Sequence, residues 1–158
     1  MENIGKVIEI FSAKKGQSGL PRPKVDTLNL ISSYGIEFDK FAGIEEDKAV
    51  MVVGKYAYDL ALENGITLKE GSLGENILLD FNPHDYKVGT IFQVGDSLLQ
   101  ITQACTICNH LSVFDKSLPL LIKNCRGLYC KVLEGAEVSK GSFVEVLEES
   151  HLNKKIAS

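Results

Sequence analysis

The run Ala49-Val50-Met51-Val52-Val53-Gly54 constrains the fold more than any other part of the chain. It is apolar at five consecutive positions, rich in β-branched residues and ended by glycine. A run this short with that composition predicts a strand rather than a helix, and its lack of alternation predicts a buried, central one. A charged turn, Glu45-Glu46-Asp47-Lys48, leads into it.

Short strand patterns recur on both sides of this run. Residues 5–11 show partial alternation and predict an opening strand, and residues 26–31 another. Residues 12–24 are polar, contain Gly16, Gly19, Pro21 and Pro23, and predict a loop with an extended Pro-Arg-Pro piece. Residues 34–43 predict a structured loop, and residues 77–79 a short apolar strand. Further strands are expected at 88–96, 97–103, 128–133 and 142–147, with the glycine-bounded segment 135–141 as a connection. Helical spacing is confined to 56–64, where Tyr56, Leu60 and Glu63 share a face and Asn64-Gly65 is a stop signal, and to 111–123, interrupted near Pro119. Many short strands with glycine-rich turns predict a mainly β barrel or sandwich with short peripheral helices. The organisation expected is one domain over residues 1–148 and a flexible tail over 149–158.

Charge and hydropathy narrow the function. The 158 residues carry a formal net charge of −4, which opposes a nucleic-acid role because phosphate neutralisation needs a basic surface. No stretch approaches a membrane-spanning helix. Met1-Glu2-Asn3-Ile4-Gly5-Lys6 lacks the pattern of a secretory signal, so the expected location is cytoplasmic and the four cysteines are expected as thiols.

The chemistry concentrates in Cys105-Thr106-Ile107-Cys108-Asn109-His110, which follows a predicted strand. A Cys-x-x-Cys pair admits a redox disulfide, a metal site or one nucleophilic thiolate. Zinc would draw on Cys105 and Cys108 with His110, Cys125 or Cys130. A thiolate would need nearby positive charge, which His110 or Arg126 can supply. Small core thiols are the bland alternative for all four cysteines. His84, in Asn82-Pro83-His84-Asp85, reads as a surface loop histidine, and His151 as part of the tail.

Four pieces in order carry a family resemblance: Gly35-Ile36-Glu37-Phe38-Asp39-Lys40-Phe41-Ala42-Gly43 leading into the 50–53 strand; Gly71-Ser72-Leu73-Gly74-Glu75-Asn76-Ile77; Val88-Gly89-Thr90 through Gly95 to Ile101-Thr102-Gln103 and Cys108; and Arg126-Gly127-Leu128-Tyr129-Cys130-Lys131 through Gly135 to Lys140-Gly141. Together they resemble the MOSC domain family, named for the C-terminal domain of molybdenum cofactor sulfurase, and most of all its small stand-alone bacterial members. The resemblance implies a MOSC-like β-barrel associated with molybdenum cofactor and sulfur handling and, at family level, with pyridoxal phosphate. It implies Cys108 as the cysteine that carries sulfur or ligates molybdenum. It places Asp39, Lys48, Gly74, Glu75, Asn76 and Arg126 at the cofactor pocket. A sulfur-donor enzyme or a molybdoenzyme is the partner it implies. Glu75 and Asp39 also read as residues that hold loops. A non-catalytic cofactor- or protein-binding module and a zinc-binding β domain stand as the alternatives.

The chain departs from the family pattern at named positions. Phe38 stands where glycine is common and Phe41 where histidine is frequent. Asp47-Lys48 replaces Arg-Gln, Cys125 replaces arginine, and Cys105-Thr106-Ile107 replaces the Arg-x-Pro before the cysteine. Lys40, Lys48, Arg126 and Lys131 are the cations expected to compensate. Cys105 and Cys125 are candidates to resolve a persulfide on Cys108.

Overall fold

A computed structural model describes residues 3–106 and 109–148. Cys108, His151 and the predicted tail 149–158 lie outside the described residues. The described residues form ten strands: β1 (Asn3–Ile10), β2 (Thr27–Ile31), β3 (Gly35–Ile36), β4 (Val50–Gly54), β5 (Ile77–Leu79), β6 (Ile91–Val94), β7 (Ser97–Ala104), β8 (Leu128–Glu134), β9 (Glu137–Ser139) and β10 (Phe143–Glu148). Helix α1 spans Lys55–Glu63 and helix α2 spans Leu118–Leu121.

Seven strands close a barrel in the order β1-β10-β6-β7-β8-β4-β5, and β3-β2-β9 form a small separate sheet. Alternation fills the barrel. Phe92 and Val94 of β6, Leu99 and Ile101 of β7, and Leu128, Cys130 and Val132 of β8 all belong to one interior cluster. The outward side chains of β4 do not meet water. Val50 and Val52 enter the barrel core, whereas Met51 and Val53 join a second cluster with Ala57 and Ala61 of α1 and with Leu111, Leu118 and Ile122. Burial on both faces is the reason this strand reads as an unbroken apolar run. β4 and β5 pair in parallel, a geometry that needs a crossover, and α1 supplies it.

The mainly β barrel with short helices agrees with the sequence expectation. Three local readings change. Residues 135–141 are more than a connection, because β9 forms there and pairs with β2 at Leu28↔Val138. Pro119 does not interrupt a helix; it sits in the first turn of α2, where its missing N–H would have no intrahelical partner anyway. His84 is not a free surface histidine. It is half-buried in a 3₁₀ turn capped by Asn82, and its Nε2 accepts the Gly127 N–H at 3.0 Å.

Candidate functional site

On the outer side of the barrel, over β4 and β8, lies a cavity of about 880 Å³. Met51 and Tyr129 form its floor because both occupy outward positions on their strands, flanked by barrel-facing neighbours. Gly127 makes the close approach of these strands possible. It has φ +144°, and a Cβ there would stand 3.0 Å from both Met51 Sδ and Val53 Cγ2.

Four cations line the cavity: Arg22, Lys40, Lys48 and Arg126. Arg126 is the most enclosed, at 5% exposure. Its Nη1 donates to the Leu73 carbonyl, while its Nε has no hydrogen-bond partner among the described residues. A buried guanidinium with an unused donor is costly unless an anion or water completes it. Arg22 and Lys40 flank the Phe41 ring, with the Arg22 Cζ 5.1 Å and the Lys40 Nζ 5.4 Å from its centroid. Burial pulls the Arg22 guanidinium below its ordinary value, and the charges of Asp39 and Glu75 oppose that shift. Lys48 pairs with Glu45 at 3.8 Å and lies 5.9 Å from the Tyr129 ring centroid.

Behind the cations stands a layer of buried carboxylates and amides. Asp39 Oδ1 accepts from Ser12 Oγ at 2.7 Å and from Asn76 Nδ2 at 3.3 Å, and its Oδ2 accepts the Phe41 N–H at 3.1 Å. Asn76 Nδ2 also donates to the Phe11 carbonyl at 3.1 Å, and its Oδ1 takes the Met51 N–H at 3.0 Å. These bonds tie the 39–48 loop, β1 and β4 together beneath the cavity. Glu75 is fully buried, and its Oε2 accepts from the Tyr58 hydroxyl at 2.6 Å. Burial raises the Glu75 carboxyl above its ordinary value, against the hydrogen bond from Tyr58 and the charge of Arg126. Burial and the Glu75 charge push the Tyr58 hydroxyl up as well.

The structure therefore sorts the sequence-derived candidates. Lys48, Gly74, Asn76 and Arg126 line one cavity, while Asp39 and Glu75 are not among its lining residues and stand behind that wall as loop-holding groups. Gly74 has φ +80°, and a Cβ there would stand 3.8 Å from Leu20 Cδ2 and 3.9 Å from Arg126 Nη2, so the wall beside Arg126 keeps a recess of about one atom in ordinary contact with both. Lys40 lines the cavity as expected of a compensating cation, whereas Lys131, on β8, does not.

The cysteines separate too. Cys105 lines the cavity, and its thiol donates to the Tyr129 hydroxyl at 3.6 Å. Cys125 is buried in the second cluster, where burial raises its thiol, and it does not line the cavity. Cys130 lies inside the barrel with its thiol pushed up to about 12 by burial. Cys105 and Cys130 thus occupy different cores, so they do not converge on one ion. No group of three His, Cys, Asp or Glu among the described residues could hold a metal. Cys108 falls outside the described residues, but the chain on both sides of it lines the cavity, through Cys105 and His110.

Sequence reasoning did not select Arg22, Tyr58 or His84. Arg22 carries one signal, its place between two prolines in a rigid extended piece. Tyr58 lies on a helix face that periodicity alone assigns to packing.

The fold is shared with solved structures of low sequence identity. YuaD from Bacillus subtilis superposes with a TM-score of 0.73 at 16% identity, over 89% of this chain and 93% of that one. YiiM from Geobacillus stearothermophilus gives 0.66 at 20% identity, over 93% and 75%. YiiM from Escherichia coli gives 0.68 at 20% identity, over 90% and 69%. At these identities the likeness establishes the fold alone. None of the curated proteins matches the chain. The family model for the MOSC domain matches residues 39–145, more than half of the sequence and all of the barrel from β4 to β8, and the chain belongs to the MOSC domain family.

Proposed function

We propose that the cavity binds an anionic, phosphate-bearing ligand of the molybdenum-cofactor type and that the chain handles sulfur through Cys108. The observation that carries this reading is the Arg126 guanidinium, 5% exposed, lining the cavity with an Nε that has no partner among the described residues. An anionic oxygen supplies the acceptor that this donor lacks, in a charge-assisted bond stronger than a neutral one. Arg22, Lys40 and Lys48 add charge around it, and the recess at Gly74 leaves room for an oxygen close to the backbone. When bound, the cofactor brings a soft metal centre for which a cysteine thiolate is a compatible ligand.

The residues of the chain divide the work. Arg126 and Arg22 bind and orient the anion. Asp39 and Asn76 hold the loops that present them. Phe41 and Leu20 line one side with apolar surface. In the sulfur-carrier form, the Cys108 thiolate attacks the outer sulfur of a donor persulfide. A new S–S bond forms on Cys108, the donor's S–S bond breaks, and the donor leaves as a thiolate, so no external oxidant is needed. A sulfur-donor enzyme and a molybdoenzyme acceptor are the partners this chemistry requires.

Metal and pterin analysis of protein isolated from its host, beside intact mass after treatment with a sulfane-sulfur donor, tests the reading. The wild type should carry pterin or gain the mass of sulfur, and Cys108→Ser should lose the sulfur. Neither pterin nor sulfur on the wild type, where a control thiol protein reacts, would sink it.

A further inference from the structure

We propose that His84 is a positioning residue for this cavity, a proton-sensitive latch that holds Arg126 and the cysteine-bearing segment in place through Gly127. The geometry is a relay of two backbone bonds. His84 Nε2 accepts the Gly127 N–H at 3.0 Å, and the Gly127 carbonyl accepts the Cys105 N–H at 2.9 Å. Gly127 directly follows Arg126 and directly precedes β8. One imidazole thus fixes the Arg126–Gly127 peptide, and the adjoining Gly127–Leu128 peptide, through its carbonyl, holds Cys105 at the cavity.

The turn that carries the imidazole is itself held: the Asn82 side chain accepts the backbone N–H of His84 at 3.0 Å, and Pro83 lies buried against β4 at Gly54. An N–H donor faces Nε2, so the neutral ring must carry its proton on Nδ1. A second proton would set N–H against N–H. The bond to Gly127 would be lost and replaced by repulsion.

The charged surroundings do not supply a compensating partner among the described residues. β4, on which the turn packs, has no titratable side chain. Lys55, next after Gly54, is bonded to Asp59 at 3.0 Å. Arg126 directs its guanidinium to the Leu73 carbonyl. Asp85, beside His84 in the turn, favours the proton, but burial outweighs it and holds the imidazole below its ordinary value of 6.5. A depressed histidine contributes stability that is present above the unfolded value and is lost as pH falls through the window down to the folded one. The latch is therefore closed at neutral pH and opens on acidification. His110 lines the same cavity.

The inference that the latch controls ligand affinity rests on the proposed anion site; the latch itself does not, and the experiment separates them. NMR would follow the His84 ring and the Gly127 and Cys105 amides of the full chain between about pH 8 and pH 5. The expected result is one shared midpoint below that of a free histidine, and no such amide titration in His84→Gln, whose amide oxygen accepts at every pH. Amides that fail to follow the His84 midpoint in the wild type overturn the latch, even if the variant does not fold. Inorganic sulfate, whose charge is constant over this range, is the binding probe. Wild-type affinity should fall by about three- to tenfold on acidification, the equivalent of one hydrogen bond, and that of His84→Gln should not. A wild type that binds sulfate equally at both ends overturns the control of affinity. Absence of sulfate binding at every pH, with the amides titrating as expected, overturns the anion site and supports the latch.

Discussion

The Tyr58 hydroxyl donates to Glu75 Oε2 across 2.6 Å, and the same oxygen of Tyr58 accepts the N–H groups of Gly71 at 3.1 Å and Leu73 at 3.3 Å. One phenol from α1 therefore organises the whole 71–76 loop. The Leu73 carbonyl of that loop receives Arg126, and Asn76 at its end supports the 39–48 loop. Tyr58→Phe removes the donor to a fully buried carboxyl, leaves the Leu73 amide without its acceptor and leaves the Gly71 amide only its 3.4 Å bond to Glu75 Oε2. The expected loss is about 2–4 kcal/mol of unfolding free energy, read by denaturant titration. A loss below about 0.5 kcal/mol would show that water replaces the phenol without cost.

Glu75 gives a pH dependence of defined sign. Its carboxyl is raised by burial, so the folded state binds a proton more tightly than the unfolded chain does. The stability this contributes is full below the ordinary carboxylate value and declines as pH rises through the raised one. Glu75→Gln keeps an oxygen to accept from Tyr58 and has no charge to bury. Relative to the wild type, the variant should therefore gain stability as pH rises from about 4 towards neutrality. Unfolding curves for both proteins across that range check it, and parallel pH profiles would show that the Arg126 charge already neutralises Glu75.

Phe38 is held at φ +68° with 77% of its surface exposed. The left-handed region costs a side chain with a Cβ about 1–2 kcal/mol, and little burial offsets it here. This is the position where the family pattern favours glycine, and the backbone conformation explains why. Phe38→Gly should raise the unfolding free energy by up to about 1 kcal/mol after the extra entropy of glycine in the unfolded chain. A destabilised variant would mean that the exposed ring makes a compensating contact in solution.

The barrel was legible in the sequence because alternation and glycine spacing are local signals. β4 announced itself by an apolar run that only double-sided burial explains. β9 was hidden because three residues carry no period and owe their strand to β2, more than a hundred positions earlier in the chain. The candidate site was legible as family pieces, which located Lys48, Gly74, Asn76 and Arg126 but could not distinguish cavity wall from the layer behind it. His84 was unreadable for a simple reason. Its partner is an amide 43 residues away, and backbone groups leave no residue type to recognise. Phe41 shows the converse: as a departure from the family pattern it looked like a lost polar group, whereas the structure makes it the ring between Arg22 and Lys40.

Cysteine reactivity should follow the two cores. Cys130 is enclosed by the barrel and its thiol is pushed up to about 12, so it has almost no thiolate near neutral pH and no access. Alkylation of the native protein followed by peptide mass analysis should leave Cys130 unmodified and label Cys105, which lines the cavity, before Cys125, which shares its core but does not line the cavity. Modification of Cys130 at a rate like that of Cys105 would mean that the barrel opens on the labelling timescale.

Arg126 and Lys131 provide the sharpest contrast among the cations. They lie five positions apart and belong to the same family-like piece, yet Arg126 is enclosed in the cavity wall and Lys131 is not part of it. Arg126→Met preserves much of the buried stem and removes the charge and donors, whereas Lys131→Met removes an equal formal charge away from the cavity. If the cavity binds anions through built geometry, Arg126→Met should weaken sulfate binding by about tenfold or more, the loss of one charge-assisted bond. Lys131→Met should change it by less than about twofold, because a screened surface charge acts weakly at a distance. Arg126→Lys should rescue little, since a point charge cannot keep the bond to the Leu73 carbonyl and present a second donor in the plane of a guanidinium. Isothermal titration of all three variants with sulfate, beside their unfolding curves, decides the matter. Equal losses for Arg126→Met and Lys131→Met would reduce the site to a general electrostatic field.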